Sequence, residues 1–265
     1  MNPRVMAQLR QRQLTILNTF DEICRKHDLR YYLMYGTLLG AVRHNGYIPW
    51  DDDIDVAMPI EDYLKFLKIG QQNLPENMFL QTDMTDSYHA RFFAKIRMNN
   101  TAFVPQESLT SKKHVGIFID IFPLYKRPPQ QNSLKKIRIK LGNIIDTVLI
   151  DKRERNKLSR MIFLPFYILP SKLLAKLRYK LWNLQSDYYY EFECNDYYPI
   201  EIFESTIDLI FEDRAYPAPK DYDKVLRTLY GDYMQLPPED QRVTHNPFRI
   251  SFDLSGPDEN LDDDS

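Results

Sequence analysis

Four aspartates within five residues, set among large apolar side chains, restrict this chain more than any other feature of its sequence. The run Trp50-Asp51-Asp52-Asp53-Ile54-Asp55-Val56 reads as a strand. Asp51, Asp53 and Asp55 then share one face, and Asp52, Ile54 and Val56 the other. Same-face neighbours lie about 7 Å apart at ~3.3 Å rise per residue, and strand twist brings their oxygens toward one cation or an adjacent pair. Carboxylates held this close raise one another's pKa and destabilise a fold unless positive charge sits between them. A hard divalent ion, Mg2+ or Mn2+, removes that repulsion and can hold phosphate oxygens at the same time. The competing explanation is a solvated acidic turn after Pro49. The interleaved Ile48, Trp50, Ile54, Val56 and Met58 fit a half-buried strand better. Asp51, Asp53 and Asp55 are therefore expected to bind metal.

Just upstream, Tyr31-Tyr32-Leu33-Met34-Tyr35 has the aromatic bias of a short strand, ended by Gly36-Thr37 before a helix from Leu38. Strand, tight turn and helix N-terminus together make an anion cradle, and Gly36 lets the backbone approach a phosphate closely. Downstream, a strand over 92–98 sets Lys95 and Arg97 on one face. Beside an acidic strand they suit a nucleotide diphosphate, as point charge and fork; elsewhere they are the wet side of a sheet. Arg43 and His44, leaving the helix, invite a similar reading. Asp120 is the single acid in the apolar run 116–124, and an ionised carboxylate is almost never buried alone. It is expected to face the metal, and is a candidate for the base that takes a proton from an acceptor hydroxyl.

The stretch GTLLGAVRHNGYIPWDDDIDVAM, Gly36 to Met58, resembles the signature of the LicD family, members of the nucleotidyltransferase-like superfamily. The resemblance implies an α+β fold, a mixed β-sheet core flanked by helices. It also implies a Gly36-Thr37 turn, an Asp53-x-Asp55 strand and a third acid at Asp120. Related fukutin-like transferases use an additional acid two residues earlier, which implicates Asp51. FEDRAYPAPKDYDKVL and LYGDYMQLPPEDQRVTH also resemble LicD proteins, and Arg242 and His245 lie there. Either residue reaches the active site or keeps a plain surface role.

Residues 1–125 read as the catalytic core. A helix over 5–28 has Val5, Leu9, Ile16, Leu17, Phe20, Ile23 and Cys24 on one face; a second helix spans 60–74, and strands fall at 78–81 and 92–98. After Leu124 the chain changes character. From Lys126 to Lys180 there are fifteen Lys and Arg against three acids, in a chain whose net charge is −2, so charge is segregated along it. Residues 126–199 are expected to be a basic helical insertion, with helices over 133–157 and 171–190 around an apolar segment, 161–170. That segment is too short and too proline-interrupted to span a bilayer. Basic helices beside it suit an anionic membrane surface; packing of the apolar segment on the core, with a solvated basic face, is the alternative. Residues 200–257 are expected to return strands to the sheet and to hold a helix over 221–230 ending at Gly231. Residues 258–265 read as a disordered acidic tail. The overall charge points away from nucleic acid, and Cys24 and Cys194 lack metal-ligand or disulfide-framework spacing. Without the apolar core of a signal peptide at its start, the chain is expected to be cytoplasmic, and peripheral on the inner membrane face if the insertion binds lipid.

Carboxylates around divalent ions, a backbone cradle and flanking cations are the parts of a phosphoryl-type transfer, in which catalysis is positioning and charge neutralisation. Neither a serine elbow nor a cysteine-histidine pair is visible, so no covalent intermediate is expected. The resemblance implies more. LicD family members move phosphocholine or a related phospho-alcohol from a CDP-linked donor to a hydroxyl of a cell-surface glycan such as teichoic acid, lipopolysaccharide or capsule. CDP-choline or another CDP-alcohol, and a glycan acceptor carried on lipid, are the partners it implies. A quaternary ammonium binds aromatic faces, for which Trp50, Tyr47, Tyr35 and Tyr188 to Tyr190 are candidates. Two other readings keep the same residues: transfer of the nucleotide itself from a nucleoside triphosphate, and a non-catalytic nucleotide- or glycan-binding protein.

Overall fold

The computed structural model describes residues 1–86, 89, 92–105, 113–154, 164–191, 194–242, 244–245, 247–256 and 258–259. Asn2 opens helix α1 (Pro3–Lys26): its side-chain oxygen accepts from the Arg4 N–H at 2.9 Å, and proline fills the first helical position. The apolar face read from the sequence is the buried one, Val5 through Cys24. Helix α3 (Ile60–Asn73) lies against α1, with Phe20 meeting Phe66 edge-on at 5.1 Å between ring centroids.

Both helices cover a mixed sheet. Its strands are β1 (Tyr32–Leu33), β2 (Asp55–Pro59), β3 (Met78–Gln81), β4 (Ala94–Met98) and β6 (Phe118–Lys126), in the order β1-β2-β6-β4-β3. Strands β2 and β6 run parallel, joined through the crossover that contains α3; the other pairs are antiparallel. Side chains alternate across β6: Ile119 and Ile121 are fully buried, and Asp120 points the other way. This is the α+β, nucleotidyltransferase-like arrangement that the resemblance implies.

Several boundaries differ from the sequence reading, each for a physical reason. Strand β2 begins only at Asp55, because the Asp51 N–H turns back to the Ile48 carbonyl at 2.9 Å and side chains from α1 take carbonyls of 48–52. Helix α2 (Tyr35–His44) starts before Gly36-Thr37, so that pair forms part of its first turn. Strand β5 (Ala102–Val104) pairs with β11 (Arg249–Ser251), tying the C-terminal region to the core. The hairpin β9 (Thr206–Phe211) and β10 (Arg214–Pro219) is a sheet of its own, not a return to the main one. Helix α7 (Tyr222–Tyr230) ends at Gly231, as expected. The expected disordered tail is fixed at its start: Arg249 holds Asp258 at 2.7 Å and the Glu259 N–H reaches the Ile250 carbonyl; residues 260–265 lie outside the described residues.

The basic segment is helical over α4 (Ser133–Glu154), α5 (Leu164–Tyr167) and α6 (Ser171–Trp182), but residues beyond Trp182 are not helix. There β7 (Tyr188–Glu191) and β8 (Asp196–Pro199) form a hairpin that pairs with the end of β6, Tyr125 opposite Tyr190. Ile145, Val148 and Leu149 of α4 and Leu174 and Ala175 of α6 make a small second core, against which Phe166, Tyr167 and Leu169 pack. The apolar segment thus belongs in part to the fold; residues 161–163 lie outside the described residues. One basic residue departs from any solvated face. Arg178 is fully buried, 3.1 Å from Asp83 of the core and 3.7 Å from Asp146 of α4, with its guanidinium over Phe92 and Tyr179. Gly142 lets α4 close on α6: a Cβ there would lie 2.0 Å from the Trp182 indole nitrogen, so Gly142→Ala must separate the two helices.

Candidate active site

The sheet brings together acids distant in sequence. Asp55, the first residue of β2, sits opposite Asp120 in the parallel β6, and Asp120 sits opposite Lys95 in β4. The three side chains form one row across adjacent strands about 4.8 Å apart. The Lys95 ammonium donates to Asp120 Oδ2 at 2.8 Å and lies 3.5 Å from the Phe118 ring centroid. Burial pushes its pKa down to about 8 against the attraction of Asp120.

Asp51, Asp52 and Asp53 precede the strand in a loop gripped from below. Arg10 Nη2 lies 2.9 Å from each of the carbonyls of Ile48, Pro49 and Asp51, and Gln13 donates to the Asp52 carbonyl at 2.8 Å. Asp52 is fully buried and accepts from His245 Nδ1 at 2.7 Å and from the His245 N–H. That places His245 Nε2 3.6 Å from Asp53 Oδ2. Asp51 folds toward α2, and the space beside Gly36 is what admits it: a Cβ on Gly36 would stand 2.5 Å from Asp51 Oδ2. Tyr35, with a left-handed φ of 48°, turns the chain from β1 into α2. The N-cap residue of α2, Met34, supplies no side-chain cap to the first N–H groups of the helix. Gly36→Ala is expected to displace Asp51 and lower turnover at least about tenfold, while a thermal melt shifts by no more than a few degrees.

The acids repel one another. Burial first, then Asp51 and Asp120, push Asp53 well above the carboxylate range; burial, Asp53 and Asp120 do the same to Asp55. Asp51 is also raised, chiefly by burial. His245 is also raised, to about 9, through its hydrogen bond to Asp52 and the charge of Asp53, which hold it protonated. One ligand atom from each of Asp52, Asp53 and His245 lies within 4.8 Å of the others, close enough to share an ion. A hard cation suits the carboxylate oxygens here, since the negative charge of the acids exceeds the positive charge of Lys95.

Comparisons with known proteins give the family. Residues 28–140 match the family model described as LicD/FKTN/FKRP, nucleotidyltransferase domain. The lipopolysaccharide cholinephosphotransferase LicD of Haemophilus influenzae is 33% identical over 264 residues, covering 90% of this chain and 96% of that protein. This chain belongs to the LicD family. Human ribitol 5-phosphate transferase FKRP is 53% identical over 34 residues, 13% of this chain and 7% of that one. An uncharacterized protein of Rickettsia prowazekii is 42% identical over 77 residues, 29% of this chain and 27% of its own.

Not every residue expected at the site reaches this cluster of acids. Arg97 is buried, its Nε on the Gln81 amide oxygen and its Nη1 on the Gly116 carbonyl, so it fastens loops behind Lys95 rather than gripping a diphosphate. Arg43 likewise spends Nη1 on the Tyr233 carbonyl at 2.7 Å, pinning the C-terminal segment to α2. The Thr37 hydroxyl accepts the Asp55 N–H at 2.8 Å and so sets where β2 begins. Trp50 is half-buried and carries a cation on its face, the Arg242 guanidinium 4.6 Å from the ring. Tyr47 is buried, its ring under Arg10 and its hydroxyl on Gln13, and cannot join a choline cage. Sequence reasoning passed over Arg10, Gln13 and Tyr230, and left Asp52 on the far face of a strand. Tyr230 stands at the end of α7, and its hydroxyl is pushed up by burial and then by Asp55, Asp51 and Asp53. The apolar spacing of α1 concealed the first two, because polar residues on a helix flank read as solvated.

Proposed function

We propose that this protein transfers phosphocholine, or a related phospho-alcohol, from a CDP-linked donor to a hydroxyl of a lipid-linked surface glycan, lipopolysaccharide, teichoic acid or capsule, with release of CMP. What supports the reading is the set of buried, mutually repelling carboxylates, Asp51, Asp53, Asp55 and Asp120, in a chain that aligns along nearly all of a lipopolysaccharide cholinephosphotransferase. These four would hold Mg2+ or Mn2+, which when bound supplies neutralisation of the donor diphosphate and the departing CMP. The chain's own groups do the rest. The N–H groups at the start of α2, Gly36 and Thr37 among them, orient a phosphate. Lys95 fixes Asp120 and adds positive charge beneath the row. Asp52 fixes His245 over Asp53. Trp50 and Tyr230 offer aromatic faces at the mouth, where a trimethylammonium replaces the Arg242 guanidinium on Trp50.

The test is incubation with CDP-choline, CDP-ribitol or CDP-glycerol, Mg2+ and a surface-glycan extract, following CMP. CMP release that needs both metal and glycan, and stops with chelator, is expected. In a thermal shift, Mg2+ with the accepted CDP-alcohol raises the melting temperature more than Mg2+ alone. Stabilisation by CTP and ATP but by no CDP-alcohol would overturn the reading in favour of nucleotidyl transfer.

A further inference from the structure

The α4–α6 helical pair carries a surface that the catalytic row does not use. Among the described residues, fifteen large apolar side chains are exposed, and six of them lie here: Leu134, Ile137, Leu141, Ile168, Leu173 and Leu177. Leu134 is 73% exposed and Ile168 80%. They are not scattered. The helices run antiparallel, with Arg138 Nη2 donating to the Lys180 carbonyl at 2.8 Å. Leu141 stands one turn before Ile145, and Leu177 one turn before Leu181; Ile145 and Leu181 pack in the same small core. Leu141 and Leu177 therefore emerge on the side where that core opens. Ile168 adjoins Leu169, which packs against it.

Charge sharpens the identity of the occupant. Lys136, Lys140, Lys172, Lys176 and Lys180 are exposed between these residues. Helix α6 contains no acid, and over 133–149 the one acid, Asp146, is buried beside Arg178. Apolar side chains beside long basic ones, with no exposed acid over 133–149 and 171–182, match an interface where methyl groups enter the acyl boundary and ammonium groups meet phosphates. No helix among the described residues is long and apolar enough to cross a membrane. We propose that this face of α4 and α6 docks the protein on an anionic phospholipid bilayer, half-inserting the apolar fringe while the lysines pair with headgroups. The proposal deepens the reading of a lipid-linked acceptor but is read without donor or glycan, so each fails separately.

The experiment is co-sedimentation of the full chain with phosphatidylglycerol/phosphatidylcholine vesicles and with pure phosphatidylcholine vesicles, at low and high salt. The wild type is expected to bind the anionic vesicles at low salt, and to lose affinity with salt and without phosphatidylglycerol. Ile137→Ser with Leu173→Ser, and separately Lys136→Glu with Lys176→Glu, are each expected to weaken binding by about tenfold or more, with unchanged far-ultraviolet dichroism and melting. These positions are exposed, so the fold survives the changes. No sedimentation of the wild type at low salt overturns the proposal. So does binding that either double variant retains in full, which places the contact elsewhere or makes it purely electrostatic. A dimer in solution that dissociates on Ile137→Ser with Leu173→Ser, without vesicle binding, would assign the surface to a second copy instead.

Discussion

Asp53→Asn is expected to lower CMP release at least about a thousandfold while the protein melts at the same temperature or higher, two effects that seldom coincide. Both follow from position. Asp53 is pushed far up by burial and by Asp51 and Asp120, so in the metal-free protein its charge opposes folding, and a neutral amide of the same shape relieves that. The surrounding architecture survives, because His245 is fixed by Asp52 at 2.7 Å and not by the 3.6 Å contact to Asp53. What disappears is an anionic oxygen that a hard cation requires and that an amide oxygen replaces poorly. CMP release and a thermal melt on one sample check this. Activity within about tenfold of wild type would remove Asp53 from the metal set. A melt lowered by several degrees would mean that the carboxylate has a structural partner instead.

Arg178→Met is expected to destabilise the protein by about 3–5 kcal/mol, the largest loss from any single polar substitution proposed for this chain. The guanidinium lies between Asp83 and Asp146 with no solvent exposure, and stacks on Phe92 and Tyr179. Methionine keeps much of the stem's packing but takes the guanidinium charge away from two buried carboxylates. Most of the loss comes from the counter-charge withdrawn from those acids and not from the pair itself. Combining Arg178→Met with Asp146→Asn is therefore expected to recover part of it, and denaturant unfolding of the single and double variants measures the difference. A single-variant loss below about 1 kcal/mol would mean that water reaches the cluster.

The acidic run was legible because its chemistry is local: alternating acids and apolar residues announce a charged, half-buried element whatever surrounds it. Asp120 was legible for a related reason, as one carboxylate in an apolar strand must find a charge. The fate of Arg97 and Arg43 was not. A cation's sequence position shows its sign and approximate face, but the carbonyls of Gly116 and Tyr233 that consume these two are supplied by chain far away. Asp52 illustrates the same limit. Strict alternation assigned it to the far side of a strand, whereas the turn at Ile48 to Asp51 and the pull of Arg10 and Gln13 delay the start of the strand to Asp55. The length of the second helix in the basic segment was overread for lack of a stop signal: nothing after Trp182 breaks a helix strongly, and the pairing of Tyr190 with Tyr125 wins by tertiary contact.

The hydrogen bond between Asp52 and His245 joins residues 193 positions apart. A nascent chain therefore displays its cluster of acids from the moment residue 55 leaves the ribosome, but meets the imidazole that steadies it only after residue 245 has followed. For most of synthesis the loop holds its charges without that support, and closing so long a separation is slow compared with forming α1 or α3. The order in which the chain is made keeps this cleft unfinished until last.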